Sequence, residues 1–533
     1  MNRDDDDFGE GFIAESHPLR ATHLSVPAGG MNNSRAPSIS SSVSDLDVPI
    51  YTRETTVPVS ARGGLNGRLA FAIAAAALGS SFQHGYNTGV VNSPEKLITA
   101  WITDVNGNRT NIRPTESEVT TIWSTAVAIF CIGGMIGGSL ISVVADKLGR
   151  KGGLLANNVL VLLTVLFEGP AKAAGSYEML IIGRFFIGIN SGLNAGLAPM
   201  YLAEISPVHL RGAVGTVYQL VITISILTSQ ILGMETLLGT AEQWPLLLSL
   251  TIVPAIFQLA TLPICPESPK YLLLSKGQDL KAQKALAWLR GTIEVHDEME
   301  EMRAEYESLK MIPTVTLREL FVNSALRIPI IISIVIMLAQ QFCGINAVMI
   351  FSTNIFRAAG LDPISAQYAT LGTSGINVLM TLVSLVLVEK AGRKTLLLVG
   401  FSGMFVSSIV LTACLAFAET VPVVANLSIF VAIMFVLFFA VGPGSIPWFL
   451  VSELFSQGAR PAATAVAIFT NWAANFVVSM GFLPLKNLLG GYVFLIFAGL
   501  QMVFILFVWR KVPETKNKTM EEISSMFRQI SYQ

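Results

Sequence analysis

Amide side chains inside apolar stretches are the groups in this chain that could bind a polar, uncharged ligand. An amide offers both donors and acceptors of hydrogen bonds, which the hydroxyl groups of a neutral polyol require, and an indole ring adds a flat apolar surface. The candidate binding residues are Gln219, Gln340, Gln341, Asn346, Asn377, Trp448, Asn471, Trp472 and Asn475. These residue types predict a binding site for a neutral polyol.

Spacing along a helix favours some pairs of these amides over others. Asn471 and Asn475 are four residues apart and would share a helix face. Gln340 and Asn346 are six residues apart, which on a straight helix places them about 120° from alignment. The alternative role for each amide is a hydrogen bond from helix to helix, worth about 0.6 kcal/mol on average in a membrane.

Titratable groups are scarce in the same stretches, and this bears on the source of energy. Coupling to an ion requires a titratable or ion-binding group within the membrane. Glu168, Glu204 and Glu453 lie near the ends of apolar stretches, and His84 is the one titratable exception in the first stretch. The chain also lacks a nucleotide-binding P-loop motif. We therefore expect no catalytic residues, no metal site and no cofactor, and no evident use of an ion gradient or of ATP.

The composition is typical of a helical membrane protein. Charged residues make up 13% of the chain, against about 25% in soluble domains, and the mean hydropathy is +0.59. The net charge of −1 gives no indication of nucleic-acid binding. All four cysteines fall in apolar stretches, which favours buried thiols over a disulfide framework.

Apolar stretches of about 20 residues, each long enough to cross a bilayer as a helix, recur twelve times. They predict an all-α membrane protein with 12 transmembrane helices in two pseudo-symmetric six-helix bundles, joined by short cytoplasmic helices. The stretches are 68–91, 119–143, 154–173, 179–202, 212–234, 243–264, 327–351, 366–388, 395–417, 424–450, 461–482 and 490–510.

Charged motifs occur twice, and the two copies define the halves. In each half a glutamate precedes an arginine by seven residues, and the glutamates Glu204 and Glu453 are 249 residues apart. The repeated residues are Asp146, Arg150, Glu204 and Arg211 in the first half, and Glu389, Arg393, Glu453 and Arg460 in the second. Two such halves would place a binding cavity between them at mid-membrane.

These charges and the glycine-rich part of the tenth stretch are candidates for gates. We expect the charges to clasp the halves closed on the inner side; the alternative is ordinary surface pairing, worth about 0–1 kcal/mol per pair. Gly442, Pro443, Gly444 and Pro447 would interrupt the tenth stretch, and such a break could hinge an outer gate where it lines a cavity. The predicted ion pairs are Asp146–Arg150, Glu389–Arg393 and Glu204–Arg211.

Basic residues in short loops set the predicted orientation. Arg150, Arg211, Arg393 and Arg460 fall on one side, which is then the cytoplasm. Both termini are cytoplasmic in this topology, and the loop that contains the glycosylation acceptor Asn108 is external. The predicted regions are a disordered tail (1–66), an N-terminal bundle (67–265), cytoplasmic linker helices (266–326), a C-terminal bundle (327–510) and a cytoplasmic tail (511–533).

Several motifs, in order along residues 67–527, resemble the sugar porter branch of the major facilitator superfamily, and within it the animal facilitative glucose transporters. The resemblance implies alternating access and passive hexose transport in the plasma membrane. The residues that it places at the sugar site are Gln219, Gln340, Gln341, Asn346, Asn377, Trp448 and Asn471. The motifs are Gly85-Tyr86-Asn87-Thr88-Gly89-Val90, Pro266-Glu267-Ser268-Pro269, Gln340-Gln341, Gly344-Ile345-Asn346-Ala347, Gly442-Pro443-Gly444 with Pro447-Trp448, and Glu453-Leu454-Phe455-Ser456-Gln457-Gly458.

Departures from the family pattern leave the exact sugar open. Ala440 stands where glucose carriers often have a glutamate, and a fructose-selective relative also has a small residue at that position. However, this chain keeps Trp448, which that relative lacks. His84 replaces a usual aromatic residue, whereas the amide of Asn87 is similar to that found in the uniporters. D-glucose is the expected substrate, with fructose or galactose as further sugars. The alternatives are a proton–sugar symporter that uses His84 and a sugar sensor that does not transport.

Overall fold

The computed structural model describes residues 64–456, 458–518 and 520–532, and every element assigned in these ranges is a helix. The predicted disordered tail lies outside the described residues as far as residue 63. The predicted all-helical fold is therefore confirmed for the described part of the chain.

Helices of the first half begin with an interrupted span. A π-helical turn at Ala77–Ser81 separates α1 from α2, and α2 packs so closely on α8 that a Cβ at Gly85 would lie 2.3 Å from the carbonyl oxygen of Ile222. The helices are α1 (Gly67–Ala76), α2 (Phe82–Gly89), α3 (Glu95–Thr110), α4 (Glu116–Leu148), α5 (Arg150–Glu168), α6 (Ala171–Ala174), α7 (Tyr177–Ile205), α8 (Arg211–Leu232), α9 (Trp244–Ser249) and α10 (Ile252–Thr261).

Three helices connect the halves, and the second half follows with nine. The connecting helices are α11 (Asp279–Arg290), α12 (His296–Lys310) and α13 (Leu317–Val322). The second half contains α14 (Ser324–Phe342), α15 (Ile345–Ala358), α16 (Pro363–Ala391), α17 (Arg393–Ala416), α18 (Val424–Val441), α19 (Ile446–Leu454), α20 (Arg460–Leu489), α21 (Val493–Lys511) and α22 (Met520–Ser531).

Most of these helices belong to twelve membrane spans. Ten helical stretches in the described residues are long and apolar enough to cross a membrane. One of them, Arg460–Lys511, contains two spans, since α20 and α21 are separated by a 3-10 turn at Gly490–Tyr492. The interrupted first span, α1 with α2, is the twelfth. Several helices are longer than the apolar stretches that predict them. For example, α20 ends at Leu489 rather than near residue 482.

Besides the first span, three others are interrupted: the sixth, where α9 ends at Ser249 and α10 begins at Ile252, the seventh and the tenth. The tenth is interrupted as predicted, because α18 ends at Val441 and α19 begins at Ile446. The seventh is also broken, between α14 and α15, where Gly344 has a φ of +96° that favours glycine. The expectation of a continuous seventh helix is therefore wrong, and with it the estimate that Gln340 and Asn346 point apart.

Matching carboxylates cap matching helices at the end of the molecule that carries Arg150 and Arg393, which we call the basic end. Glu267 accepts hydrogen bonds from the backbone N–H of Lys151 at 2.9 Å and of Gly152 at 3.3 Å. Glu514 does the same for Arg393 at 2.9 Å and for Lys394 at 3.1 Å. A carboxylate at the N-terminus of a helix satisfies free N–H groups and complements the helix dipole. The sequence repeat is thus also a structural repeat.

The turn before α17 generates a testable prediction. Gly392 has a φ of +85°, and a Cβ there would lie 2.7 Å from Oε2 of Glu514. We expect Gly392→Ala to reduce the free energy of unfolding by about 1–3 kcal/mol, measured as a lower melting temperature of the purified protein in detergent. Gly499→Ala is the control, since no atom lies within 4 Å of its added Cβ. Equal melting temperatures for the two variants would contradict the prediction.

Candidate functional site

A chain of amides begins at the break in the tenth span. The Nε2 group of Gln340 on α14 donates to the carbonyl oxygens of Pro443 at 3.1 Å and Gly444 at 2.9 Å. The Nδ2 group of Asn471 on α20 donates to Oε1 of Gln340 at 2.6 Å. Gln341 then donates from Nε2 to Oδ1 of Asn471 at 3.1 Å. These hydrogen bonds hold α14, α20 and the broken span together.

The same chain continues across the break in the seventh span. Asn346, near the start of α15, donates from Nδ2 to Oε1 of Gln341 and to Oδ1 of Asn475 at 2.8 Å. Asn475 also accepts from Oγ of Ser479 at 3.2 Å. Gln340, Gln341 and Asn471 are buried, whereas Asn346 and Asn475 are partly exposed. The five predicted amides therefore form one network, which we call the amide chain, and its accessible end is at Asn346 and Asn475.

Trp472 extends this site toward the first half. Its indole stacks on His84 of α2, with ring centroids 5.8 Å apart, and packs edge-on against Phe130 of α4, also at 5.8 Å. Nδ1 of His84 lies 3.2 Å from the hydroxyl group of Tyr218 on α8. Both halves thus contribute rings to one cluster beside the amide chain. The sequence identified His84 as a replacement for a usual aromatic residue and as a candidate proton carrier, but it did not indicate Tyr218.

Three other predicted binding residues lie on helices outside the amide chain. Gln219 and Asn377 are partly buried on α8 and α16. Trp448 is on α19, next to the break in the tenth span, and its side chain is 43% exposed. The structure does not bring these three side chains into the hydrogen-bonded network.

A second amide network lies inside the first half and was not predicted. Gln83 on α2 donates to Asn158 at 2.9 Å, and Asn158 donates to Gln258 at 2.9 Å. Asn190 and Asn194 on α7 both donate to Oε1 of Gln83, at 3.0 and 3.2 Å. All five side chains are buried. Here the helix-to-helix role applies, and the only available signal in the sequence was the presence of amides in apolar spans.

Charged groups also occur within the first half. Arg184 on α7 is buried; it donates from one terminal nitrogen to the carbonyl oxygen of Asn87 at 2.9 Å and lies 4.6 Å from the ring centre of Phe130. The buried side chain of Glu168, at the end of α5, passes over Gly183 beside it. Asn87 itself donates to Oγ1 of Thr251 at 2.8 Å. Sequence reasoning noted Glu168 and Asn87 but overlooked Arg184.

The ion pairs at the basic end differ from the predicted ones. Arg150 pairs with Glu204 at 3.0 Å, and Arg393 pairs with Glu453 at 2.9 Å. Each pair joins helices of the same half. The prediction that Asp146 would pair with Arg150 is wrong, because Gly149 with a φ of +79° ends α4 between them, so the two residues do not share a helix.

The two arginines Arg211 and Arg460 bind backbone carbonyl groups at helix ends. Arg211 donates from Nε to the carbonyl oxygen of Ala203 at 3.1 Å, so its predicted pairing with Glu204 is wrong. Arg460, its counterpart, donates to the carbonyl oxygen of Ser452 at 3.0 Å. Both arginines therefore cap the end of the preceding helix. The side chain of Glu389 lies outside the described residues.

Hydrogen bonds between the halves cluster at the end opposite the basic end, which we call the closed end. Their partners come from several helices of each half, so the contact is broad rather than local. The bonds are Asn92 to Ser352 at 2.8 Å, Asn487 to Thr120 at 3.1 Å, the backbone N–H of Glu235 to Gln367 at 3.0 Å, and Ser374 to Gln230. The described halves are thus tied together at the closed end, whereas the ion pairs of the basic end remain within each half.

Twelve spans in two related halves, with an amide-lined site in broken helices, define a membrane transporter of the major facilitator type. The chain belongs to the family described as "Sugar (and other) transporter", whose model matches residues 72–527.

Particular relatives are similar over most of their length. The chain is 48% identical to the solute carrier family 2 facilitated glucose transporter member 4 of Mus musculus, over 88% of this chain and 92% of that protein. It is 47% identical to member 3 of Homo sapiens, over 86% and 92%. Among solved structures, the partially occluded inward-open form of the Escherichia coli xylose transporter XylE matches with a TM-score of 0.72 and 25% identity, over 85% of this chain and 100% of that chain.

Proposed function

We propose that this protein is a facilitative hexose uniporter that carries D-glucose down its concentration gradient by alternating access. The observation that carries the proposal is the amide chain, whose accessible end at Asn346 and Asn475 offers donors and acceptors to a neutral sugar. The similarity to facilitated glucose transporters supports the same function. The sugar binds, the halves rock about it, and it leaves on the other side without any chemical reaction.

The proposed orientation places the basic end in the cytoplasm, since short cytoplasmic loops are rich in lysine and arginine. The protein is then a multi-pass protein of the plasma membrane with both termini inside, and the connecting helices of residues 266–326 are cytoplasmic. The closed end faces the exterior in this orientation. The described conformation is accordingly inward-facing, in agreement with the inward-open form of the similar xylose transporter.

In the sugar site, the amides with exposed atoms make the direct contacts. Asn346 and Asn475 hydrogen-bond sugar hydroxyl groups, and Trp472 supplies the flat apolar wall. Gln340, Gln341 and Asn471 orient them from behind, through the hydrogen bonds of the amide chain. Gln219, Asn377 and Trp448 complete the site as the halves move.

The charged residues of the basic end act as the cytoplasmic gate in this proposal. The pairs Arg150–Glu204 and Arg393–Glu453 fix the helix ends within each half, and Arg211 and Arg460 cap neighbouring helices. When the halves close at this end, Asp146, which is exposed, and Glu389 pair with basic groups of the opposite half. The gate thus adds new pairs between the halves to the ion pairs already present within each half.

Two further candidates differ in energy source or in sugar range. A proton–sugar symporter is favoured by one observation, the similarity to the solved structure of a proton:xylose symporter, with 25% identity and a TM-score of 0.68. In such a symporter, His84 would carry the proton. A carrier of mixed specificity, which also takes fructose or galactose, is favoured by Ala440, a small residue near the break in the tenth span.

Sugar flux in sealed liposomes tests the function. We expect labelled D-glucose to equilibrate across the membrane and never to exceed the external concentration, with or without an imposed proton gradient. Accumulation above the external level that His84→Ala abolishes would establish symport instead, and the absence of any hexose flux would refute transport. Competition by fructose and by galactose in the same liposomes measures the sugar range.

Removal of one exposed amide tests the site. We expect Asn346→Ala to raise the half-saturating glucose concentration about tenfold, since an unpaired hydrogen-bonding group costs about 1–3 kcal/mol. Initial rates of uptake in liposomes give this value. Asn426→Ala is the matched control, because Asn426 is an exposed amide in the first turn of α18 and should leave the kinetics unchanged. Unchanged kinetics in Asn346→Ala would remove it from the site.

Glycosylation tests the orientation. Asn108 is exposed near the end of α3, and in the proposed topology it faces the exterior. We expect Asn108→Gln to increase gel mobility by the mass of one glycan in protein from animal cells, with little change in transport rate. Equal mobility of the variant and the unchanged protein would mean that the acceptor is unused.

A further inference from the structure

A buried carboxylate lies between the two halves at the closed end. Glu95, the first residue of α3, is only 7% exposed, and its Oε1 accepts a hydrogen bond from Nδ2 of Asn354 on α15 at 3.4 Å. Asn92, three residues earlier, donates to Ser352 at 2.8 Å and accepts from the backbone N–H of Thr353 at 3.4 Å. A short segment of the first half is therefore seated on one turn of the second half.

Basic groups from two helices of the second half face this carboxylate. Lys486 near the end of α20 and Arg357 on α15 both attract it, as does its neighbour Lys96 on α3. Burial opposes them and is the stronger effect, so that the pKa of Glu95 is raised to about 7. The Nε atom of Arg357 is buried and has no hydrogen-bond partner in the described structure. The closed arrangement thus holds charges that water would otherwise solvate.

The turn of α15 that contacts Glu95 follows two interruptions of the helical backbone, which would allow it to move. The backbone of α15 departs from helical geometry at Phe351, with φ −113° and ψ 17°, directly before Ser352. The start of α15 is itself separated from α14 by the break at Gly344. The turn that contacts Glu95 is therefore directly preceded by a non-helical residue, Phe351. Its displacement would expose Glu95 to external water.

We propose that Asn92, Glu95, Asn354, Arg357 and Lys486, which we call the Glu95 latch, hold the carrier closed toward the exterior, and that proton binding to the Glu95 carboxyl group strengthens this closed state. The inference rests on the alternating access and the orientation of the proposed function. It assigns to the latch no role in binding sugar.

The direction of the pH effect follows from linkage. Glu95 has a pKa of about 7 in the closed state, whereas a glutamate exposed to water in the open state has a pKa of about 4.3. Between these values the closed state binds more protons, so acid favours it. The ratio of closed to open carriers rises by at most about tenfold for each pH unit in this range. Above the higher value, the ratio no longer depends on this group.

Distances between spin labels test the latch in the full-length protein without sugar. Labels on Ser117→Cys and Glu419→Cys, which are exposed residues of different halves at the closed end, report its opening by double electron–electron resonance. We expect the short-distance population to rise relative to the long one by about threefold or more from pH 7.5 to 5.5. A distribution that does not change between these pH values would overturn the proposal.

Three variants identify the group that titrates. Glu95→Gln, which resembles the protonated form, should favour the closed state at both pH values and abolish the pH response. Asp104→Asn, an exposed acid on the same helix, should retain the response. Lys486→Gln removes an attracting cation and should move the midpoint of the pH response to higher pH, which keeps the test informative if Glu95→Gln does not fold.

A normal pH response in Glu95→Gln, or an unmoved midpoint in Lys486→Gln, contradicts the proposal. Because sugar flux is not measured, failure of the proposed function is detected separately in the liposome assay.

Discussion

The cost of an unpaired polar group inside a bilayer is the constraint on which the rest of this structure depends. A binding site at mid-membrane needs broken helices, and each break frees backbone carbonyl groups. At the tenth span, Gln340 donates to the carbonyl oxygens of Pro443 and Gly444. At the seventh span, Gln501 of α21 donates to the carbonyl oxygen of Cys343 at 2.7 Å. The amides are therefore required by the breaks before any ligand is considered.

The same requirement links stability to binding. The Nε2 group of Gln340 donates to a free carbonyl oxygen of the broken tenth span, and its Oε1 atom accepts a hydrogen bond from Asn471. Asn471 in turn positions Gln341, and Gln341 accepts from Asn346. A ligand that approaches Asn346 meets a side chain whose orientation is already fixed by several buried partners, so little conformational entropy remains to be lost on binding.

The two halves use their repeated sequence alike at the basic end and differently at mid-membrane. Glu267 and Glu514 cap equivalent helices, and Glu204 and Glu453 pair with equivalent arginines. In the membrane, by contrast, the amide network around Gln83 is buried among helices of the first half, and the amide chain of the second half reaches a partly exposed surface. The repeat therefore provides the scaffold, and the divergence between its copies provides the candidate site.

The length and spacing of the apolar stretches by themselves determined the twelve spans, because membrane thickness fixes the length of a spanning helix. The glycines and proline at Gly442–Gly444 and the amides inside apolar stretches likewise indicated a break and the residue types of the candidate site, because few backbone structures and few polar groups are tolerated without water. The partners of the charged and amide side chains were decided by tertiary structure. Asp146 and Arg150 are close in sequence, yet the turn at Gly149 separates them, and Glu204 arrives from another helix. Gln340 and Asn346 would be misaligned on one straight helix, but the break at Gly344 allows both to join one network. Such pairings depend on where helices end and cross, which local sequence spacing does not encode.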